Sequence, residues 1–267
     1  MSRKPRFYFS FHSPFSWMAS HQVERRLPDA HEVLEYIPYF EPDEQTWEVL
    51  NARHIEMHYT SMSKAKHLYI LQDTKRLSAK YGLSMKWPVD VDPWWVLPHH
   101  AYMAARRIGR GRDLYWALSE ARWERGENIC EVDVVRRIAD SIGLDGDTLA
   151  KSPQDEDLRA EGIDALDKAY MDDVFGVPFF KMGPNRYWGL DRVDVFLDAF
   201  EKSRADAAAK EAGKVAVNGS AGAPTRAVSD AAGALAQAAQ TNPLAGVPVA
   251  LLDRVGSYDL DTAGGCG

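Results

Sequence analysis

The fold of this chain is decided by the stretch RFYFSFHSPFS, which runs from Arg6 to Ser16. Its first part, Arg6 to Phe11, is aromatic and alternating, a pattern that predicts a β-strand. The strand is broken at His12-Ser13-Pro14, and a proline suits the first turn of a helix, where no backbone N–H is needed. Helical spacing then continues from Phe15 to about Leu27. A strand that turns directly into a helix is a typical opening of an α/β fold.

A second predicted strand and a long helical block follow this opening. The alternation of apolar and polar residues from His31 to Tyr39 predicts the strand. From Asp43 onward, apolar residues at helical spacing and intervening glycines predict a series of helices. The clearest are His67–Tyr81, Pro98–Ile108, Asp113–Arg125, Glu131–Ile142 and Asp155–Tyr170.

Strand character returns after the helical block. Gly176 to Lys181 and Arg186 to Trp188 flank a turn at Gly183-Pro184-Asn185, which predicts a β-hairpin. Asp191 is placed to N-cap a last helix, which we expect to end near Ser203. Residues 205–245 are dominated by Ala, Gly, Ser and Gln, and this composition predicts a linker or mobile segment.

These elements predict an α/β domain interrupted by helices. Residues 1–44 and 171–204 would form the α/β domain, residues 45–170 an inserted all-helical domain, and residues 205–267 a flexible, low-complexity C-terminal extension.

Composition narrows the class of protein. The net charge of -7 and the pI near 5.6 argue against an extended nucleic-acid surface. The two cysteines, Cys130 and Cys266, form neither a CxxC pair nor a disulfide framework, which favours a reducing compartment. No stretch has the length and hydrophobicity of a signal sequence or a membrane span. We therefore expect a cytoplasmic protein that does not act on nucleic acid or membranes.

The opening resembles the FYFDFxSPxS start of the 2-hydroxychromene-2-carboxylate isomerases, relatives of the kappa-class glutathione transferases and the DsbA oxidoreductases. Later matches, in order, are Lys66, Tyr69, Asp73 and Arg76 with Tyr81-Gly82; Trp123, Gly126 and Ile129; Phe175-Gly176-Val177-Pro178; and Trp188-Gly189-Leu190-Asp191-Arg192. The resemblance covers about 200 residues. It implies a thioredoxin-like fold, with the predicted helices as an insertion.

The resemblance assigns the catalytic position to Ser13. In this fold the residue just before the first helix meets free N–H groups and the positive end of the helix dipole. A cysteine there would do redox chemistry, whereas a serine hydroxyl can hold the sulfur of glutathione as a thiolate. The alternative is that Ser13 merely N-caps the helix, and the two roles are compatible.

Further cofactor contacts follow from the same resemblance. Val177 and Pro178 would form a cis-proline turn that pairs with the cysteinyl backbone of glutathione; the alternative is a trans bond at a strand start. Asp191 would receive the γ-glutamyl ammonium, or only N-cap the last helix. Arg192 would also bind the cofactor, or be only a solvated charge. Lys66 would contact a glycyl or substrate carboxylate, or only lie on a solvated helix face.

Three positions depart from the family pattern, and each puts a polar glutathione contact in doubt. Ser10 replaces an aspartate, Leu190 replaces a polar residue, and Met57 with His58 stands where related sequences have an asparagine.

A substrate pocket and a metal site are the remaining candidates. His12, Phe15 and Trp87 are candidate pocket residues, with Trp94 and Trp95 either in the pocket wall or in the core. The metal candidates are His54, His58 and His67, with Glu56. His54 and His58 have the i, i+4 spacing of one helical face, but Glu56 between them does not fit that face, and the histidines could equally be polar lining, so we expect no metal.

Two classes of function follow. The first is a glutathione-dependent isomerase or kappa-type transferase, using glutathione or another low-molecular-weight thiol on an aromatic or unsaturated small molecule of aromatic catabolism. The second is a catalytically idle scaffold, or a carrier for a modified peptide at Gly264-Gly265-Cys266 that partners a modifying enzyme. A homodimer is compatible with both.

Overall fold

The computed structural model of the chain describes residues 3–58 and 63–218, with side chains as far as residue 211. Most of the predicted linker 205–245 and all of the carrier-like end therefore lie outside the described residues. One compact unit ends at Phe200, and a second begins at Glu201. The candidate site lies in the first unit. The division of that unit into an α/β part and a helical insert stays a prediction.

A four-stranded mixed sheet, in the order β2-β1-β3-β4, organises the first unit. Its strands are β1 (Arg6–Phe9), β2 (Glu35–Pro38), β3 (Phe179–Met182) and β4 (Asn185–Trp188). β1 is parallel to β2 and antiparallel to β3, and β3 and β4 form the predicted antiparallel hairpin. The two sheet halves are separated by the helical block in sequence, as the opening and closing motifs predict.

The alternation in β1 sends its aromatic side chains to opposite faces of the sheet. On one face Phe7 stacks on Phe180 at 4.5 Å between ring centroids. Phe9, on the same face, meets the rings of Tyr102 and Tyr115 edge-on at 5.2 and 4.9 Å. On the other face the Tyr8 hydroxyl donates to Asp172 Oδ2 at 2.5 Å. Both faces of the central strand are therefore buried.

Helices supply the rest of the first unit. α1 (Pro14–Arg26) follows β1 directly, as predicted. The helical block comprises α3 (Glu44–Ala52), α4 (Lys64–Lys80), α5 (Val96–Arg107), α6 (Gly111–Trp123), α7 (Val132–Ser141), α8 (Gly146–Ala150) and α9 (Glu156–Met171). The sequence pattern predicts all of these except the short α8, which is five residues long and too short to show a period.

The second predicted strand is shorter than expected. Residues from His31 belong to a one-turn helix, α2 (Ala30–Val33), and only Glu35 to Pro38 are extended. The turn is closed by a hydrogen bond from the Leu34 N–H to the Ala30 carbonyl at 2.8 Å. This local hydrogen bond holds residues 30–33 in a helical turn, although the alternation of apolar and polar residues from His31 to Tyr39 predicts a strand. The prediction that the strand begins at His31 is therefore wrong.

The last helix starts later and ends later than expected. Asp191 lies within a 3-10 turn, Leu190–Arg192, rather than at an N-cap, and α10 covers Val193–Asn218 instead of ending near Ser203. Residues 205–218 are rich in alanine with interspersed charges. Alanine has the highest helix propensity, so this composition extends the helix even though it offers little to a core.

Candidate active site

Ser13 lies where the predicted catalytic residue should be, immediately before α1. Its backbone is extended, and its Oγ accepts a hydrogen bond from the Ser16 N–H at 3.2 Å. Pro14 takes the first position of the helix. Ser13 therefore is an N-cap, and the question is whether its hydroxyl does anything more.

A second contact of the same hydroxyl reaches the segment just before β3, the neighbour of β1 in the sheet. Ser13 Oγ lies 3.4 Å from the Val177 carbonyl oxygen, to which its O–H donates. The Val177–Pro178 peptide bond is cis, as the resemblance predicts. Two segments 164 residues apart in sequence thus meet at one hydroxyl. The contact is at the long end of the hydrogen-bond range, so it costs little to redirect the O–H to another acceptor.

The segment after β4 is tied to the same turn. The Gly189 N–H donates to the Pro178 carbonyl at 2.9 Å, and Gly189 has a φ of 95°, which a glycine adopts without strain. Two residues later, Asp191 is exposed and forms an ion pair with its neighbour Arg192. α1 also contacts the 3-10 turn that holds both residues. Asp191 and Arg192 therefore belong to the neighbourhood of the cis-proline turn.

Lys66 is not shown to join this group. It lies in the first turn of α4 and is half-buried, and its backbone N–H donates to the N-cap Ser63 Oγ at 3.2 Å. α4 packs against α1. A contact with the cofactor thus stays a prediction for Lys66.

Two of the three departures from the family pattern fall on buried positions. The Ser10 hydroxyl accepts from the His12 N–H at 3.2 Å within the turn before α1. Leu190 packs into the hydrophobic core. Met57, the third, is half-buried and packs against that core. The buried Ser10 supports the backbone of the turn, so its role does not require contact with a ligand.

The three predicted pocket residues have different environments. Phe15 is buried in the hydrophobic core, whereas His12 and Trp87 are exposed. The His12 ring stacks on Trp95 with centroids 4.4 Å apart and planes at 14°. Trp87 meets Trp123 edge-on at 5.8 Å. Phe15 can therefore shape the site only from within the core.

The sequence analysis missed a buried charge next to these aromatic residues. The Arg122 side chain is only 2% exposed, and its guanidinium donates to both Asp90 carboxylate oxygens at 2.9 and 2.8 Å. The guanidinium carbon also lies 4.6 Å from the ring centre of Trp95 and 4.7 Å from that of Trp123. A signal was present, because residue 122 continues the core-facing series Leu114, Leu118 at helical spacing.

These groups set the charge beside Ser13. Although His12 is partly exposed, its ring is stacked on Trp95, and the desolvation of the ring by the surrounding protein lowers its pKa. The charge of Arg122 lowers this pKa further, and Asp90 opposes the shift. Burial favours the neutral form of Asp90, but the hydrogen bonds and charge of Arg122 prevail and lower its pKa. His12 is thus a neutral imidazole near neutral pH, next in sequence to Ser13.

The buried cysteine cannot take the place of a redox thiol. Burial raises the pKa of Cys130 to about 12, and its side chain packs in the hydrophobic core. A neutral, buried thiol is a poor nucleophile. The position that a thiol oxidoreductase would use for its cysteine carries the Ser13 hydroxyl instead.

The geometry now permits a comparison with known proteins. Residues 6–201 match the DSBA-like thioredoxin domain. The chain belongs to the DSBA-like thioredoxin family. This DSBA-like chain is 28% identical over 208 residues to the 2-hydroxychromene-2-carboxylate isomerase of Sphingobium xenophagum, covering 75% of this chain and 98% of that one.

Solved structures agree on the fold. A structure of 2-hydroxychromene-2-carboxylate isomerase superimposes with a TM-score of 0.61 at 18% identity, covering 77% of this chain and 98% of the other. A probable DsbA oxidoreductase from Streptomyces coelicolor gives a TM-score of 0.55 at 14% identity, covering 84% and 93%. The thioredoxin-like fold with many helices is thereby established. The relationship to an isomerase supports an enzyme with isomerase or thiol-related chemistry.

The described helices and the described metal-ligating side chains bear on membranes and metals. Within residues 3–58 and 63–218, no helix combines the length and hydrophobicity needed to cross a bilayer. The same residues bring together no group of three His, Cys, Asp or Glu side chains that could hold a metal ion. His58 instead stacks on Tyr170 with ring centroids 5.4 Å apart.

Proposed function

We propose that this chain is a thiol-dependent isomerase or kappa-type transferase, in which Ser13 holds the sulfur of glutathione or another small thiol as a thiolate. One observation carries the proposal. The Ser13 hydroxyl sits at the N-terminus of α1, 3.4 Å from the carbonyl before the cis-proline, in the place where related oxidoreductases need a cysteine. The 28% identity to an isomerase that aligns over 98% of its own length supports it.

The residues present fit a small thiol. Ser13 has one O–H donor, which in this structure points to the Val177 carbonyl and can turn to a sulfur atom. The start of α1 adds the positive end of a helix dipole, which favours a negative charge there. The backbone at Val177 is suited to pair with a peptide-like ligand in strand fashion. Asp191, exposed near this turn, offers a carboxylate for a ligand ammonium.

When bound, the thiol supplies a nucleophilic sulfur that adds to an electrophilic carbon of the substrate. In an isomerisation the C–S bond later breaks and the thiol is regenerated, whereas in a transfer reaction the C–S bond stays in the product. The chain lowers the cost of this by holding the sulfur deprotonated at Ser13 and by fixing it at the cis-proline turn, so that the reactants meet in line. His12 stays neutral and adds no charge of its own.

An aromatic or unsaturated small molecule suits exposed apolar side chains, and α4 and the segment after it carry several. Leu68 and Tyr69 in the first half of α4, and Trp87, Val89 and Val91 after its end, are each more than 40% exposed. α4 packs against α1, the helix that Ser13 caps. The proposal therefore includes an aromatic or unsaturated substrate. It also includes a cytoplasmic location, where a reducing environment keeps small thiols available.

The decisive experiment replaces Ser13 with alanine. The loss of an N-cap costs about 1 kcal/mol, so Ser13→Ala should fold and lose most thiol-dependent turnover of a chromene carboxylate or a conjugation substrate. Asp155→Ala is the matched control, because Asp155 N-caps α9 by accepting from the Leu158 N–H at 3.0 Å. It should lose similar stability and keep full turnover. Equal turnover in both variants would contradict the proposal.

A binding measurement separates the cofactor from the reaction. Glutathione should raise the melting temperature of the wild type by mass action, and S-methylglutathione should raise it less because it cannot form a thiolate. If no small thiol in a panel of cellular thiols stabilises the protein, the proposed cofactor class is wrong.

A further inference from the structure

The residues between β1 and α1, Ser10 to Ser13, form a turn that we name the Ser13 turn. Most of its hydrogen bonds are local. The Ser13 N–H donates to the Ser10 carbonyl at 3.1 Å, and the Ser10 N–H donates to Ser16 Oγ at 3.3 Å. The Phe11 N–H instead leaves the turn and donates to His99 Nε2 of α5 at 3.1 Å. Because the turn carries Ser13, this bond connects the catalytic position to the helical block.

His99 can make this bond in only one tautomer. A backbone N–H can only donate, so Nε2 must accept and the proton lies on Nδ1. Nδ1 is 2.6 Å from the Trp95 carbonyl, one helical turn earlier, and donates to it. His99 is fully buried. Both ring nitrogens are therefore satisfied, and the ring has no freedom to rotate without losing both bonds.

The charge state of His99 protects this arrangement. Desolvation lowers its pKa to about 3, the Trp95 carbonyl opposes the shift, and the positive charges that His100, His12 and Arg122 can carry add to it. The ring therefore stays neutral at any pH at which the protein is expected to work, and Nε2 stays an acceptor.

His99 also links the two flanks of the candidate site. The residue whose carbonyl it holds, Trp95, carries the ring on which His12 stacks. One buried imidazole thus fixes the backbone two residues before Ser13 and the first turn of the helix behind His12.

We propose that His99 is a positioning residue, which through the Phe11 N–H sets where the Ser13 hydroxyl points toward a bound thiol. The inference rests on the proposed thiol chemistry at Ser13. It goes beyond it by assigning a role to a residue in the helical block that touches neither thiol nor substrate.

Two conservative variants separate the two bonds of His99. Asparagine can place an N–H near the Nδ1 position and keep the bond to Trp95, but it is too short to accept from Phe11. Glutamine can place an oxygen near the Nε2 position and keep that acceptor. His99→Asn should therefore lower kcat about 10- to 100-fold, as small misplacements of catalytic groups do, and His99→Gln should recover most of it.

A neighbouring histidine provides the matched control. His100 is equally buried, but its ring packs against Phe40 at 5.7 Å between centroids and approaches Gly162 of α9. His100→Asn should lower the melting temperature about as much as His99→Asn and leave kcat within about twofold. A purely structural role for His99 would give the two variants the same kinetics.

Amide hydrogen exchange gives a readout that needs no activity. In the wild type the Phe11 amide should be protected; His99→Asn should speed its exchange at least about tenfold, and His99→Gln should restore protection, while His100→Asn has no effect. Unchanged exchange in His99→Asn, or faster exchange with unchanged kcat, would overturn the positioning role. A further outcome is that the wild type binds no thiol but the variants show the expected exchange rates. The proposed function is then wrong, and the bond from Phe11 to His99 only stabilises the turn, which also overturns the inference.

Discussion

At the scale of single residues, the site is defined by a hydroxyl group and an imidazole group, each of which both donates and accepts a hydrogen bond. The Ser13 hydroxyl accepts from one N–H and donates to one carbonyl, and His99 uses both ring nitrogens. The His99 ring is pre-organised, because two bonds would have to break before it moved, whereas the Ser13 oxygen is held by the bond that it accepts and its O–H can turn to another acceptor. The ion pair of the buried Arg122 with the half-buried Asp90 likewise fixes a charged group in place.

A residue-scale prediction concerns that pair. Asp90→Asn leaves the Arg122 guanidinium buried without its counter-charge, and we expect the free energy of unfolding to fall by about 3 kcal/mol. Asp164→Asn is the control, since Asp164 pairs with Arg53 at 3.3 Å while both side chains are largely exposed. It should cost less than about 1 kcal/mol. Urea unfolding compares the two, and equal losses would show that burial does not strengthen the dependence of Arg122 on Asp90.

At the scale of elements, the cis-proline turn is closely packed against β4. A Cβ added at Gly176 would lie 2.8 Å from Trp188 Nε1, closer than real contacts allow. Trp188 is in turn held by the ring of Phe175, 4.8 Å away. The residue before Val177 therefore must be small, and the hairpin that carries Trp188 fixes the position of the turn.

We therefore expect Gly176→Ala to displace the turn and weaken thiol binding more than it lowers stability. Binding of glutathione, measured by calorimetry, should fall about tenfold or more. Trp188→Phe replaces the indole that the new methyl group would contact. The double variant should therefore lose less glutathione-binding free energy than the sum of the losses in the two single variants. Strict additivity would mean that the Gly176 and Trp188 positions act independently.

The same scale shows what the sequence can and cannot predict. The β1–α1 opening, the hairpin and the long helices follow from short-range patterns, and Ser13 and Pro178 could be located from motifs. The bond from Phe11 to His99 could not, because it depends on how α5 packs against the Ser13 turn, 88 residues away in sequence. The extension of α10 to Asn218 was mispredicted because polar, alanine-rich composition was interpreted as a linker.

At the scale of the whole molecule, neutral histidines link stability to pH. Desolvation lowers the pKa of His99 to about 3, with the charges described above. It also lowers the pKa of His100 to about 4; Arg159 adds to this shift, while Asp43, Glu161 and the Ser152 backbone oppose it. The ordinary pKa of a histidine side chain is 6.5. At pH values between 6.5 and these lowered pKa values, the unfolded chain binds more protons than the folded one.

The free energy of unfolding should therefore be highest above about pH 6.5 and fall as the pH is lowered toward 4, because the stability of a neutral buried imidazole is lost there. Removing one titrating group, as in His100→Asn, should make this decline shallower. Urea unfolding at a series of pH values measures the slope. A flat profile from pH 7 to 4.5, or an unchanged slope in the variant, would show that these histidines are not neutral in the folded state.

The central claim is that Ser13 holds a small thiol as a thiolate. Ultraviolet absorbance of the thiolate, titrated with pH for glutathione bound to the protein, tests it most directly. The account predicts that the wild type lowers the pKa of the bound thiol at least about one unit below the value near 8.5 that is usual for a cysteine thiol. Ser13→Ala should return it toward that value while still binding, and Asp155→Ala should leave it lowered. A bound thiol whose pKa is the same with Ser13 and with alanine would contradict the account.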